Sequence, residues 1–123
     1  MKKILVVDDE PYIRNLVVET LNYLGKYELI EAGTGKEALD LVIKEKPDLV
    51  ILDIMLPDID GYTICEQIKE NPNLNTSVLI LSARYSELDQ RIGFGMGADD
   101  YLTKPFTIKD LIEKVQNLLE KSP

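Results

Sequence analysis

No histidine occurs among the 123 residues. That absence removes Ser-His-Asp and Cys-His nucleophile systems and most zinc sites, all of which draw on imidazole. It also means that the chain cannot donate a phosphoryl group from histidine, so in any phosphotransfer it has to be the acceptor. A single cysteine, Cys65, excludes an internal disulfide and suits a reducing compartment. Cys65 shares a helical stripe with Gly61, Ile64 and Ile68, where a buried structural thiol is expected over a reactive one. Basic residues are outnumbered, 14 Lys and Arg against 22 Asp and Glu, for a net charge of −8. This balance argues against direct binding of nucleic acid or of an anionic membrane surface. Long apolar runs are missing as well. After Lys2 and Lys3 the apolar stretch Ile4-Leu5-Val6-Val7 stops at acids, which is no secretory leader, and no run could span a bilayer. The expectation is a cytoplasmic protein with no membrane partner.

The length and an apolar fraction of 45% suit one globular domain over residues 1–123 with a real core. No linker, repeat or low-complexity segment interrupts it, and no output domain is expected within these residues, whose last helical pattern stops before Lys121-Ser122-Pro123. Three apolar runs are continuous, not alternating: Ile4-Leu5-Val6-Val7, Leu49-Val50-Ile51-Leu52 and Val78-Leu79-Ile80-Leu81. Strands buried on both faces read this way. Glu28-Leu29-Ile30-Glu31-Ala32 is a weaker fourth, and Asp100 to Thr103 a short fifth. Helical spacing lies between them, in Ile13, Leu16, Val17, Leu21 and Leu24, with Pro11 tolerated in the first turn. Thr34 with Glu37 forms a capping box, and Asp60, Ser86 and Thr107 are further N-caps. Strand and helix thus alternate five times, which predicts an α/β fold with a parallel sheet and helices on both faces.

Ligands of such a sheet bind beyond the carboxyl ends of the strands. Asp8, Asp9 and Glu10 follow the first run and Asp53 the third. Ser82 and Ala83 follow the Val78 run, and Lys104-Pro105 the last strand. Carboxylates gathered in one crevice repel each other unless a cation offsets them, and magnesium takes oxygen ligands from one or two carboxylates plus a phosphate. Lys104 supplies a point charge for a phosphoryl oxygen, Ser82 a hydroxyl donor, and Asp53 a carboxylate nucleophile. Each residue has a plainer reading. The Asp-Asp-Glu-Pro stretch can be a helix cap with favourable dipole placement. Asp53 can be a turn residue, Ser82 another cap, and Lys104 a surface lysine. The functional reading rests on four such signals falling at successive strand ends.

Over essentially its whole length the chain resembles bacterial response-regulator receiver domains. The resemblance is carried by residues 4–10 (Ile-Leu-Val-Val-Asp-Asp-Glu) and 48–57 (Asp-Leu-Val-Ile-Leu-Asp-Ile-Met-Leu-Pro). Asp60-Gly61, Leu81-Ser82-Ala83-Arg84 and residues 97–106 (Gly-Ala-Asp-Asp-Tyr-Leu-Thr-Lys-Pro-Phe) complete it. It implies a flavodoxin-like, doubly wound fold with strand order 2-1-3-4-5. It implies a two-component phosphoacceptor switch in which a sensor histidine kinase or phosphotransfer protein phosphorylates Asp53 with magnesium, or manganese in its place. By resemblance, Asp9 and Asp53 bind the metal directly, Asp8 binds through water, and the Met55 carbonyl completes the protein ligands. Lys104, Ser82 and Ala83 contact the phosphoryl group, and the Lys104-Pro105 peptide is cis. Ser82 and Tyr101 form the switch pair, although the plainer reading of Tyr101 is an edge-strand aromatic. The switch would shift the face of the fourth helix, fifth strand and fifth helix towards a downstream protein or fused output domain.

Some positions depart from the pattern. Ser82 stands where threonine is usual, which keeps the donor and drops a methyl. Gly93, Gly95 and Gly97 predict a soft end to the fourth helix, with close packing against a small residue as the alternative. Lys114, Gln116 and Glu120 replace arginines that serve dimer salt bridges in winged-helix regulators, and Glu120 reverses a charge. Phosphorylation-dependent dimerisation therefore stays open. Met55 and Arg84 leave no small polar side chain to place an attacking water, so self-dephosphorylation is expected to be slow. Two other classes compete with the switch. An aspartyl-phosphate phosphatase wants a second aspartate two residues after Asp53, where Met55 stands. A degenerate interaction domain would have lost part of the acidic site, which is intact. A receiver belonging to a larger DNA-binding regulator is the remaining alternative.

Overall fold

The computed structural model describes residues 1–83 and 86–120. Among these residues, five strands and five helices alternate. They are β1 (Lys2–Val7), α1 (Pro11–Tyr23), β2 (Tyr27–Ala32), α2 (Gly35–Glu45), β3 (Leu49–Leu52), α3 (Gly61–Glu70), β4 (Ser77–Ser82), α4 (Glu87–Gly95), β5 (Asp100–Thr103) and α5 (Ile108–Leu119). All strands are parallel, in the order β2-β1-β3-β4-β5. The flavodoxin-like order expected from the resemblance is therefore present.

The continuous apolar runs have the predicted cause. Side chains alternate across a strand, so both faces must be apolar when both are covered. Ile4, Val6, Leu49, Ile51, Leu79 and Leu81 pack with α1 and α5 through Val17, Leu21, Leu111 and Val115. Their neighbours Leu5, Val7, Val50, Leu52, Val78 and Ile80 pack with α2 and α3 through Ala38, Val42, Ile64, Cys65 and Ile68. Cys65 is fully buried, and burial pushes its thiol up to about 11, which keeps it protonated and inert near neutral pH.

The helix starts follow local chemistry. Thr34, Asp60, Ser86 and Thr107 each accept a backbone N–H of their first turn, from Glu37, Tyr62, Asp89 and Asp110. The Thr34–Glu37 box departs from the expected pattern in one bond: the Glu37 carboxylate accepts from Gly33 N–H at 2.7 Å, one residue before the cap. The glycines near the end of α4 have separate explanations. A Cβ on Gly93 would stand 2.9 Å from Ile80 Cδ1 and 3.3 Å from the Tyr101 ring, so close packing is its reason. Gly97 turns the chain at φ +99°, which favours glycine. Gly95 faces open space, and only there is the helix-propensity cost of glycine left without a structural return.

Candidate functional site

Each site residue is set by the backbone bond that carries the sheet one step past a strand. Asp8 N–H donates to Ala32 O at 3.2 Å, Asp53 N–H to Val7 O at 2.9 Å, and Lys104 N–H to Ser82 O at 2.8 Å. Residues far apart in sequence thereby meet at one sheet edge. Lys104 Nζ lies 2.9 Å from Asp8 Oδ2 and 3.1 Å from Asp53 Oδ2, with Glu10 Oε1 at 3.7 Å. Carboxylate oxygens of Asp8, Glu10 and Asp53 fall within 4.8 Å of one another. Asp8 and Asp53 are buried, and the Lys104 side chain is only 13% exposed.

The electrostatics follow from that burial. Desolvation holds the Asp8 carboxyl above its usual range, against the lowering effect of Lys104 and of the Glu10 N–H, while Asp53 adds to the rise. Burial pulls the Lys104 ammonium down, but Asp8 and Asp53 together outweigh it and hold the group above its usual value. Three carboxylates against one ammonium leave the crevice negative. Hard oxygen donors this close together fit magnesium, which binds through one or two carboxylates and keeps room for a phosphate.

The plainer readings of these residues can be compared with the geometry. Glu10 occupies the N-cap of α1 but makes no side-chain cap bond. Instead its N–H donates to Asp8 Oδ1 at 2.9 Å, and this turn brings the Glu10 carboxylate back over the crevice. Asp53 is a turn residue in part, since its Oδ1 accepts the Met55 N–H at 2.9 Å. Ser82 is fully buried at the end of β4, and the N-cap of α4 is Ser86. Lys104 is no free surface lysine.

The crevice brings together Asp8, Asp53 and Lys104 among the residues singled out from the sequence. Asp9 is exposed and lies outside the carboxylate cluster, whose third member is Glu10. Met55 is 52% exposed beside Asp53, and Ala83 is exposed just past β4. Ser82 and Tyr101 share a sheet face, because Tyr101 pairs with Ile80 and Ser82 with Thr103. The Tyr101 ring is buried. The Lys104–Pro105 peptide is cis, as the resemblance implies. Arg84, expected next to the phosphoryl group, lies outside the described residues. Sequence reasoning missed Glu10 as a cluster member, although the run of three acids was its signal.

With this geometry in place, comparison with known proteins identifies the class. The model of the response regulator receiver domain matches residues 4–116. The alkaline phosphatase synthesis transcriptional regulatory protein PhoP of Bacillus subtilis is 44% identical, over 98% of this chain and 50% of its own length. The transcriptional regulatory protein TrcR of Mycobacterium tuberculosis is 42% identical, over 98% of this chain and 46% of its own. The receiver domain of Francisella response regulator 1452 superposes with a TM-score of 0.91 at 36% identity, covering 100% of both chains. The chain belongs to the response regulator receiver domain family. It spans about half the length of the curated relatives it matches. No helix of the described residues is long and apolar enough to cross a membrane.

Proposed function

We propose that the chain is a phosphorylation-driven switch in which Asp53 accepts the phosphoryl group, with a histidine kinase or phosphotransfer protein as donor. One observation carries the reading. The buried Asp53 carboxylate lies 3.1 Å from Lys104 Nζ and shares its crevice with the oxygens of Asp8 and Glu10. An Asp53 oxygen attacks phosphorus, the bond from phosphorus to the donor breaks, and its electron pair leaves on the donor atom. From a phosphohistidine that atom is the ring nitrogen. Lys104 then neutralises charge on the transferred group, which together with positioning is most of what such a transfer needs. Asp8, Asp53 and the Met55 carbonyl would hold magnesium, and Asp9 joins them if its exposed side chain turns inward. When bound, the ion supplies charge neutralisation for the phosphoryl oxygens.

Ser82 and the Ala83 N–H offer further contacts to the group. Pulling Ser82 towards it would free space for the Tyr101 ring on the same sheet face, and α4 and β5 would respond. The chain is read as a binding module with limited self-phosphorylation and slow self-dephosphorylation, not as a turnover enzyme. Its output, whether a separate protein or a fused DNA-binding half like that of a transcriptional regulator, belongs to the same proposal. Intact mass after treatment with acetyl phosphate and magnesium tests it. One phosphoryl adduct that disappears in Asp53→Asn is expected. An unchanged mass, or an adduct that survives the substitution, would overturn the reading.

A further inference from the structure

The loop between β3 and α3 carries both Asp53 and Met55, and one side chain fastens its middle to another part of the molecule. Asp58 Oδ1 accepts Gly35 N–H at 2.7 Å, and Oδ2 accepts Lys36 N–H at 2.9 Å. The same carboxylate accepts the Ile59 N–H at 2.9 Å. These bonds fill the first two orphan donors of α2 from more than twenty residues away. The next donors of α2 are filled locally: Thr34 Oγ1 accepts from Glu37 at 3.2 Å and Thr34 O from Ala38 at 3.0 Å. A second feature depends on the same contact. A Cβ on Gly35 would stand 2.8 Å from Ile59 Cβ, 3.0 Å from Ile64 Cδ1 and 3.1 Å from Asp58 Oδ1. Only glycine lets the loop lie this close to the helix.

The loop ends are tied as well. Gly61 N–H donates to Ile54 O at 3.0 Å, and Met55 N–H to Asp53 Oδ1 at 2.9 Å. Between those ties, Asp58 supplies the fixing of the loop to α2. The bonds also hold its carboxyl below the usual range, led by Lys36 N–H and then Gly35 N–H, so the group stays ionised near neutral pH.

We infer that Asp58, seated against Gly35 at the start of α2, is a positioning residue for the acidic site, holding the β3–α3 loop so that Met55 keeps its place beside Asp53. The inference rests on the proposed metal-assisted phosphoacceptor role. Asp58 is not a member of the carboxylate cluster. It acts through the backbone, as outer partners of metal ligands do.

The test is a magnesium titration followed by the amide resonances of Asp53 and Met55, on the native chain and four variants. Asp58→Ala and Gly35→Ala are expected to raise the half-saturating magnesium concentration about tenfold, with Asp58→Asn between them and the native protein. Thr34→Ala removes a cap of α2 without touching the loop, and its titration should match the native one. Gly35→Ala separates the two explanations sharply. Alanine favours helix over glycine, so a role confined to the stability of α2 predicts no loss there. Native titrations in Asp58→Ala and Gly35→Ala would overturn the inference, as would a Thr34→Ala shift as large as that of Asp58→Ala. If Asp58→Ala fails to fold, Gly35→Ala decides alone. A native chain whose amides ignore magnesium would instead remove the phosphoacceptor reading, and this inference with it.

Discussion

At the residue scale, Lys104 holds the balance of the crevice. Asp8 and Asp53 are buried carboxylates, and among the described residues Lys104 is the cation within 4 Å of both. A buried pair adds little over an apolar substitute, because desolvation offsets attraction, but removing one partner strands the other. Lys104→Met strands two. It should destabilise the metal-free protein by about 3 kcal/mol, measured by urea unfolding with a chelator present. Asp53→Asn leaves Lys104 paired with Asp8 and should cost far less. A Lys104→Met midpoint equal to that of the native protein would show that the lysine contributes nothing in the metal-free state. Asp8 explains why the effect is asymmetric. Burial already holds its carboxyl above the usual range, and loss of the lysine removes the main opposing influence. The sequence made Asp53 and Lys104 conspicuous because each ends a buried strand. It could not say which two of the three consecutive acids face the crevice. That choice is made by a turn in which Asp8 accepts the Glu10 N–H, which no periodicity reports.

At the element scale, the boundaries legible in the sequence are those with a local cause. The strands appear where apolar runs are continuous, and the caps at Thr34, Asp60, Ser86 and Thr107 act where predicted. Ties between elements were not legible, since their partners are far apart in the chain. Asp58 on α2 is one. Another fastens the end of α5 to the start of β2: Tyr27 Oη donates to the Glu120 carboxylate, and Lys26 Nζ lies 3.0 Å from Glu120 Oε2. Glu120, which in the sequence only reversed a charge expected at a dimer surface, is thus engaged within the chain. Lys114 likewise reaches Asp100 Oδ1 at 3.0 Å. The Tyr27 bond, then Lys26, hold the Glu120 carboxyl below its usual range. A depressed carboxyl stabilises the fold above its unfolded value, and that contribution is lost as pH falls through the folded one. Tyr27→Phe should therefore lower the unfolding midpoint at neutral pH, and the gap to the native protein should close as Glu120 protonates in acid. Faster amide exchange in the last turn of α5 should accompany it. A gap that persists unchanged in acid would assign the loss to packing around the ring, not to the bond.

At the scale of the whole molecule, the fold and the site set opposite demands. The two-sided core is complete without any ion, since every strand residue of β3 is buried between helix layers. The sheet edge above it is not neutral: Asp8, Glu10 and Asp53 converge on one ammonium in a chain whose net charge is already −8. Relief of that excess is available from a ligand that binds only the folded state, because only folding brings residues 8, 10 and 53 together. By linkage, magnesium bound there would stabilise the entire domain, by about 2.7 kcal/mol when its concentration is a hundredfold above its dissociation constant. General screening by salt would also ease repulsion among exposed acids, but it acts weakly on buried groups. The two effects separate on one plate of urea melts. Magnesium should raise the native midpoint and then saturate, sodium chloride at matched ionic strength should reproduce little of the rise, and Asp53→Asn or Asp8→Asn should lose most of it. A midpoint that rises equally with sodium, or as far in Asp53→Asn as in the native chain, would place the stabilisation on the general acidic surface and leave the crevice without a divalent ion to hold.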